Sequence, residues 1–189
     1  MPTTVKEWVE VAQSLLTCIA ILVGGIWGVN EYLEKKNQDR ISKSFEIIAK
    51  FRSSEDSRNY GDFADSMAVN DILHDKRLKG SEKSKKIAML HSNEAKKQLK
   101  RLIETYENAV VCVVVDHCDK NVIAAFMAPE AHSTYVIGYG VIKEQRELHN
   151  DQEYANELIQ IREWYCTLPE TIGHKLKRAS WCKNEKSGS

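Results

Sequence analysis

Hydrophobic and polar positions follow two different patterns along this chain. From Val11 to Val29, 19 residues pass without a charge. Beyond Ile41, apolar residues instead return every third or fourth position among charged ones, which is the period of an amphipathic helix. The first pattern predicts a membrane-spanning helix over Val9 to Val29. At ~1.5 Å per residue the segment rises about 31 Å, close to a hydrocarbon core of roughly 30 Å. Trp8, Trp27 and Tyr32 lie near its ends, where amphipathic rings favour the headgroup region. A signal peptide fits less well, because Lys6 alone precedes the apolar core and Val29-Asn30-Glu31-Tyr32 is a poor cleavage site.

The second pattern predicts helices. Ile41, Phe45, Ile48 and Phe51 continue the first helix as an amphipathic stalk, and Ser53 to Ser57 reads as a turn and helix start. A helix over Arg58 to Leu73 would bury Phe63, Met67 and Leu73, and His74 to Ser84 reads as a polar connector. The longest helix runs from Ser84 or Asn93 to Val115, with Leu99, Leu102, Ile103, Tyr106, Val110 and Val113 inward. Asp116 to Asn121 is a turn, with Asp119 as the cap of a helix carrying Val122, Ile123 and Phe126. Pro129 is expected to open another helix, Asp151 to cap a further one bearing Tyr154, Leu158, Ile161, Trp164 and Tyr165, and Pro169 to start a last helical piece. The expected fold is all-α, with one N-terminal transmembrane helix continuing into a stalk and then a cytoplasmic helical bundle. Its parts are an extracytoplasmic N-terminus (1–8), the span (9–32), the stalk (33–52), the domain (53–182) and a flexible tail (183–189).

Charge sets the expected orientation. Lys6 precedes the span, whereas Lys35, Lys36, Arg40 and Lys43 follow it closely, so the N-terminus should face outward and the domain the cytoplasm of a bacterial inner membrane. Five cysteines, Cys18, Cys112, Cys118, Cys166 and Cys182, are odd in number and do not suggest a disulfide framework, which agrees with a reducing compartment.

The block Leu102-Ile-Glu-Thr-Tyr-Glu-Asn-Ala109, then Val110 to Val115, Asp116 and Val122-Ile-Ala-Ala-Phe126, resembles the central block of a family of small bacterial membrane proteins. Ile161-Arg-Glu-Trp-Tyr165 is similar to the late aromatic segment of that group. The resemblance implies one N-terminal span and a cytoplasmic helical domain of unknown function, and it carries no chemistry. Pro129 and the Gly138-Gly140 pair depart from the family pattern, which has a bulkier helix there.

Three features bear on function. Ala20, Gly24 and Gly28 are spaced four apart, so two spans could approach closely along that stripe and the chain could form a homo-oligomer. The chain has 27 basic and 27 acidic residues, yet Lys76 to Arg101 concentrates ten basic residues against Glu82 and Glu94. Of these, Lys83, Lys85, Lys86, Lys96, Lys97, Lys100 and Arg101 are candidates for contact with anionic lipid or another polyanion. Nucleic acid is disfavoured because no aromatic residue is interleaved with that charge. The turn Asp116-His117-Cys118-Asp119 gathers chemically capable side chains, but its spacing suits neither a zinc site nor a clean Cys–His pair. Glu107, Asp116 and Asp119 are expected to form a structural polar network, with Glu107 turned inward against Arg146 or Arg162. No motif calls for a catalytic residue, a metal or a cofactor. The pattern therefore points to a membrane-anchored interaction or regulatory module that contacts membrane lipid, itself and a protein partner. The alternative is a tethered metal-dependent or hydrolytic enzyme centred on Asp116 to Asp119.

Overall fold

The computed structural model describes residues 5–168 and 181–182, and the side chains of residues 5–12, 14–15 and 18–20 lie outside that description. Pro169 and the tail 183–189 also fall outside it, as do Ala20 and much of the apolar stretch before Ile21 as far as side chains are concerned. Among the described residues there are seven helices and no strand: α1 (Val5–Ser53), α2 (Glu55–Ala64), α3 (Met67–His74), α4 (Gly80–Leu90), α5 (Asn93–Val114), α6 (Lys120–His149) and α7 (Asn156–Cys166). The chain divides into two compact units, 1–39 and 40–189.

In the first unit, α1 carries no interruption from Val5. Ile21, Leu22, Val23, Ile26, Trp27, Val29 and Leu33 are 55 to 71% exposed. Among the described residues, no helix is long and apolar enough to cross a membrane.

The second unit is a helical bundle. Its core joins Ile48 and Phe51 of α1 to Leu99, Ile103 and Tyr106 of α5, Ile123, Met127 and Ile142 of α6, and Leu158 and Ile161 of α7. α6 packs against α4 and α7, while α5 packs against α2 and α7. The phenyl ring of Phe51 meets that of Tyr106 at 5.2 Å. The C-terminal turns of α1 thus belong to the bundle, since Ser44, Ile48 and Phe51 are buried in it. Of the expected amphipathic stalk over 33–52, the last turns thus pack into the bundle through Ser44, Ile48 and Phe51.

Several expected boundaries shift, each for a physical reason. The helix expected from Arg58 to Leu73 breaks at Asp65 and Ser66, where Asn70 Nδ2 donates to the Asp65 carbonyl, and Met67 ends 81% exposed. Gly80 starts α4 inside the expected connector, with the Glu82 carboxylate accepting the Lys79 N–H. Pro129 does not open a helix but lies inside α6. A proline there removes one backbone donor and crowds the preceding turn. The buried positions Ile123, Met127, Ala131, Thr134 and Gly138 keep helical spacing through it, so burial holds one continuous helix. Arg52 also donates to the Phe126 carbonyl one turn earlier, at 3.3 Å.

Asp151 does not cap α7. Its carboxylate accepts the Glu153 N–H, and the cap position of α7 is Ala155, whose φ is 65°. A left-handed alanine is costly, and Arg146 braces this turn by donating to the Tyr154 carbonyl and to Asn156 Oδ1.

Candidate functional site

The turn between α5 and α6 holds an interlinked set of polar groups. α5 ends where Asp116 takes a left-handed φ of 60°, and the His117 and Cys118 N–H groups both donate to the Cys112 carbonyl. This αL ending closes the helix as a glycine would, and a short polar side chain tolerates it. Asp119 then caps α6, its carboxylate accepting the Asn121 and Val122 N–H groups at 2.9 Å each. Replacing such a cap typically costs about 1 kcal/mol.

Two residues of α1 clasp this turn. Arg40 pairs with the Asp116 carboxylate at 3.1 Å and donates to the Cys118 carbonyl at 3.4 Å. The fully buried Ser44 accepts the Asp119 N–H at 2.8 Å while donating to the Arg40 carbonyl. Asp116 and the Asp119 N–H are thus held by Arg40 and Ser44, which lie more than seventy positions earlier. Glu107, expected inward, is exposed and lines a cleft of about 380 Å³ with Glu104, Asp151, Glu153, Glu157 and Lys100, where water solvates its charge.

The cysteines correct a further expectation, because Cys112 is bonded to Cys118 and Cys166 to Cys182. Cys118 is fully buried and Cys112 half-buried. With its sulfur committed to Cys112, Cys118 presents no thiolate to a substrate or metal. No group of three or more His, Cys, Asp or Glu side chains able to hold a metal ion occurs among the described residues. The second bond anchors Trp181, whose ring stacks on His132 at 4.7 Å and meets Tyr165 at 5.3 Å, with the Arg162 guanidinium over it at 5.7 Å. Burial and the nearby Arg162 charge keep the His132 pKa below its ordinary value.

The basic stretch is partly neutralised within the chain. Arg77 binds the Asp75 carboxylate, which its hydrogen bonds hold at a pKa of about 2. Lys83 donates to the Leu73 carbonyl, Lys96 pairs with Glu144 at 3.1 Å, Lys97 with Glu94 at 3.8 Å and Arg101 with Asp56 at 3.0 Å. Lys85, Lys86 and Lys100 make no ion pair among the described residues. Lys85, Lys96 and Lys143 share a cleft of about 560 Å³ between α4 and α6 with Glu144 and Glu147, so its charge is mixed. Along the N-terminal helix, nothing lies within 4 Å of where a Cβ would stand at Gly24 or Gly28.

Ser44, the two cysteine pairs, Trp181 and the contact of Arg40 with the turn were not legible in the sequence. The spacing of Cys112 and Cys118 across an expected turn was the available signal, and the odd cysteine count masked it.

Among the described residues the chain forms an all-helical bundle whose α5–α6 turn is clasped by α1. Residues 18–164 match the family DUF4760, described as a domain of unknown function, and the chain belongs to that family. Among curated proteins and among solved structures, none matches the chain.

Proposed function

We propose that this protein is a membrane-anchored helical interaction or regulatory module. Its N-terminal helix is the single span, its N-terminus lies outside, and its bundle lies on the cytoplasmic side of a bacterial inner membrane. The observation that carries this reading is the run of large apolar side chains from Ile21 to Leu33 that α1 leaves exposed. At 3.6 residues per turn these side chains point in most directions around the helix, and an apolar surface of that kind is stable in lipid or against another helix. The uncharged sequence from Val11 to Val29, several of whose side chains lie outside the described residues, supplies the length.

Self-association through Ala20, Gly24 and Gly28 is part of the proposal. The open stripe at Gly24 and Gly28 supports it, since small residues allow two helices to approach and pack. Lys85, Lys86 and Lys100, which make no ion pair among the described residues, are proposed to meet anionic headgroups. Each such residue near a membrane surface contributes about 1 kcal/mol. A partner protein completes the proposed role.

Carbonate washing of membranes that carry the full chain tests the anchor: the protein should pellet with them, and recovery in the soluble fraction would overturn the proposal. A reporter fused after Ser189 should be active in its cytoplasmic form, and activity confined to the periplasmic form would reverse the sidedness.

A further inference from the structure

We infer that the Cys112–Cys118 pair is a reversible thiol–disulfide site whose redox state sets how firmly the α5–α6 turn is clasped to α1. The inference rests on the proposed placement of the bundle on the reducing side of the membrane, where a protein or small-molecule dithiol meets the pair.

The pair and the clasp occupy the same turn, residues 112–119. Cys112 and Cys118 bracket the left-handed Asp116, and their Cα atoms stand 5.3 Å apart. Each polar contact of α1 with this turn falls inside that bracket or on the next residue: Arg40 with Asp116 and the Cys118 carbonyl, and Ser44 with the Asp119 N–H. The covalent bond therefore holds in register the groups that Arg40 and Ser44 recognise.

Two observations favour reversibility over a purely structural bond. The pair closes a loop of sequence separation 6, against 16 for Cys166–Cys182. A shorter loop restrains the unfolded chain less, so the bond contributes less to holding the domain folded. Cys118 is fully buried in the apolar core, where a free cysteine behaves as a small hydrophobe, so the reduced domain keeps its packing.

Cys112 is half-buried and Cys118 fully buried, so the dithiol reaches Cys112 first. A thiolate of the dithiol attacks it, forming a mixed disulfide and releasing Cys118 as a thiolate that takes up a proton. The second thiol of the reagent then displaces Cys112, which leaves as a thiol. The reagent is thereby oxidised to its own disulfide, and the protein gains two protons and two electrons in all. Reduction removes the covalent tie across the turn and leaves its non-covalent contacts, those of Arg40 and Ser44 among them, to hold it.

Hydrogen exchange on the full-length protein in detergent, oxidised and then treated with dithiothreitol, tests the inference. Mass-mapped thiol labelling assigns which pair has opened. With Cys112 and Cys118 reduced, the Asp119 amide should exchange on the order of ten-fold faster and return to its slow rate on reoxidation. A C112A/C118A variant should show the fast rate in both conditions. Equal exchange at Asp119 in the two redox states of the natural protein would overturn the inference, whatever the variant does. So would a pair that resists dithiothreitol while the domain is folded. Thiol trapping in cells should find a mixture of free and bonded Cys112. A fully bonded pair together with a periplasmic reporter would show that the sidedness had failed. A fully bonded pair with a cytoplasmic reporter would show that the switch had failed by itself.

Discussion

The imidazole of His91 is 6% exposed and has both ring nitrogens engaged. Nδ1 lies 2.9 Å from the Ile87 carbonyl, an acceptor only, so Nδ1 carries the proton and Nε2 accepts from the Tyr60 hydroxyl at 3.2 Å. A second ring proton would face a hydroxyl already oriented to donate. Burial, chiefly, holds the His91 pKa below its ordinary 6.5, and Lys96 adds to the effect. The sign follows from linkage. As pH falls through 6.5, the unfolded chain binds a proton that the folded chain refuses, so stability is full above that value and declines below it. His132, shifted in the same direction, contributes with the same sign. The melting temperature should therefore fall between pH 7 and pH 5, and His91→Gln should flatten that slope while lowering stability at pH 7. An unchanged slope in thermal denaturation would contradict the assigned tautomer. Glu107 shows the opposite case at this scale: a carboxylate in an apolar stretch of sequence lies in the open, because it sits on the outer face of α5.

Where α4 crosses α6, the fit depends on a missing side chain. A Cβ at Gly140 would come within 2.5 Å of the Ser84 carbonyl oxygen and 2.7 Å of the Ala88 Cβ. Backbone cannot yield there without separating the helices. At Gly138 the nearest atoms are the Leu99 methyls at 3.0 Å, the mobile ends of a side chain. Gly140→Ala should destabilise the bundle by about 1–3 kcal/mol, the usual cost of overpacking. Gly138→Ala should cost less, as read from urea denaturation, and the reverse order would refute this account of the crossing. The Gly138-Gly140 pair stood out in the sequence as a departure from a bulkier helix, but the helix it faces was not readable there. Pro129 teaches a similar lesson, since proline favours a helix start locally, yet the buried stripe on both sides outweighs that preference.

At the scale of the whole molecule, the proposed self-association makes a direct prediction. Replacing Gly24 and Gly28 together by Ile fills the stripe on α1, where the glycines now meet nothing. Cross-linking of the full chain in membranes should then lose its dimer band while carbonate-resistant membrane association persists. A dimer that survives would place the contact elsewhere.

Local periodicity was enough to specify much of this protein. The helical class, the inward face of α5 from Leu99 to Val110, the Asp119 cap and the kinship implied by the Leu102 to Phe126 block all follow from residues within a few positions of one another. Tertiary structure alone decided the rest: Pro129 inside a continuous α6, Arg40 and Ser44 against the α5–α6 turn, and Cys166 joined to Cys182. Helix period and capping are properties of neighbouring residues, and so they survive in the sequence. The partner of a buried serine or a cysteine depends on which distant surfaces pack together, and that is settled by burial summed over the whole bundle.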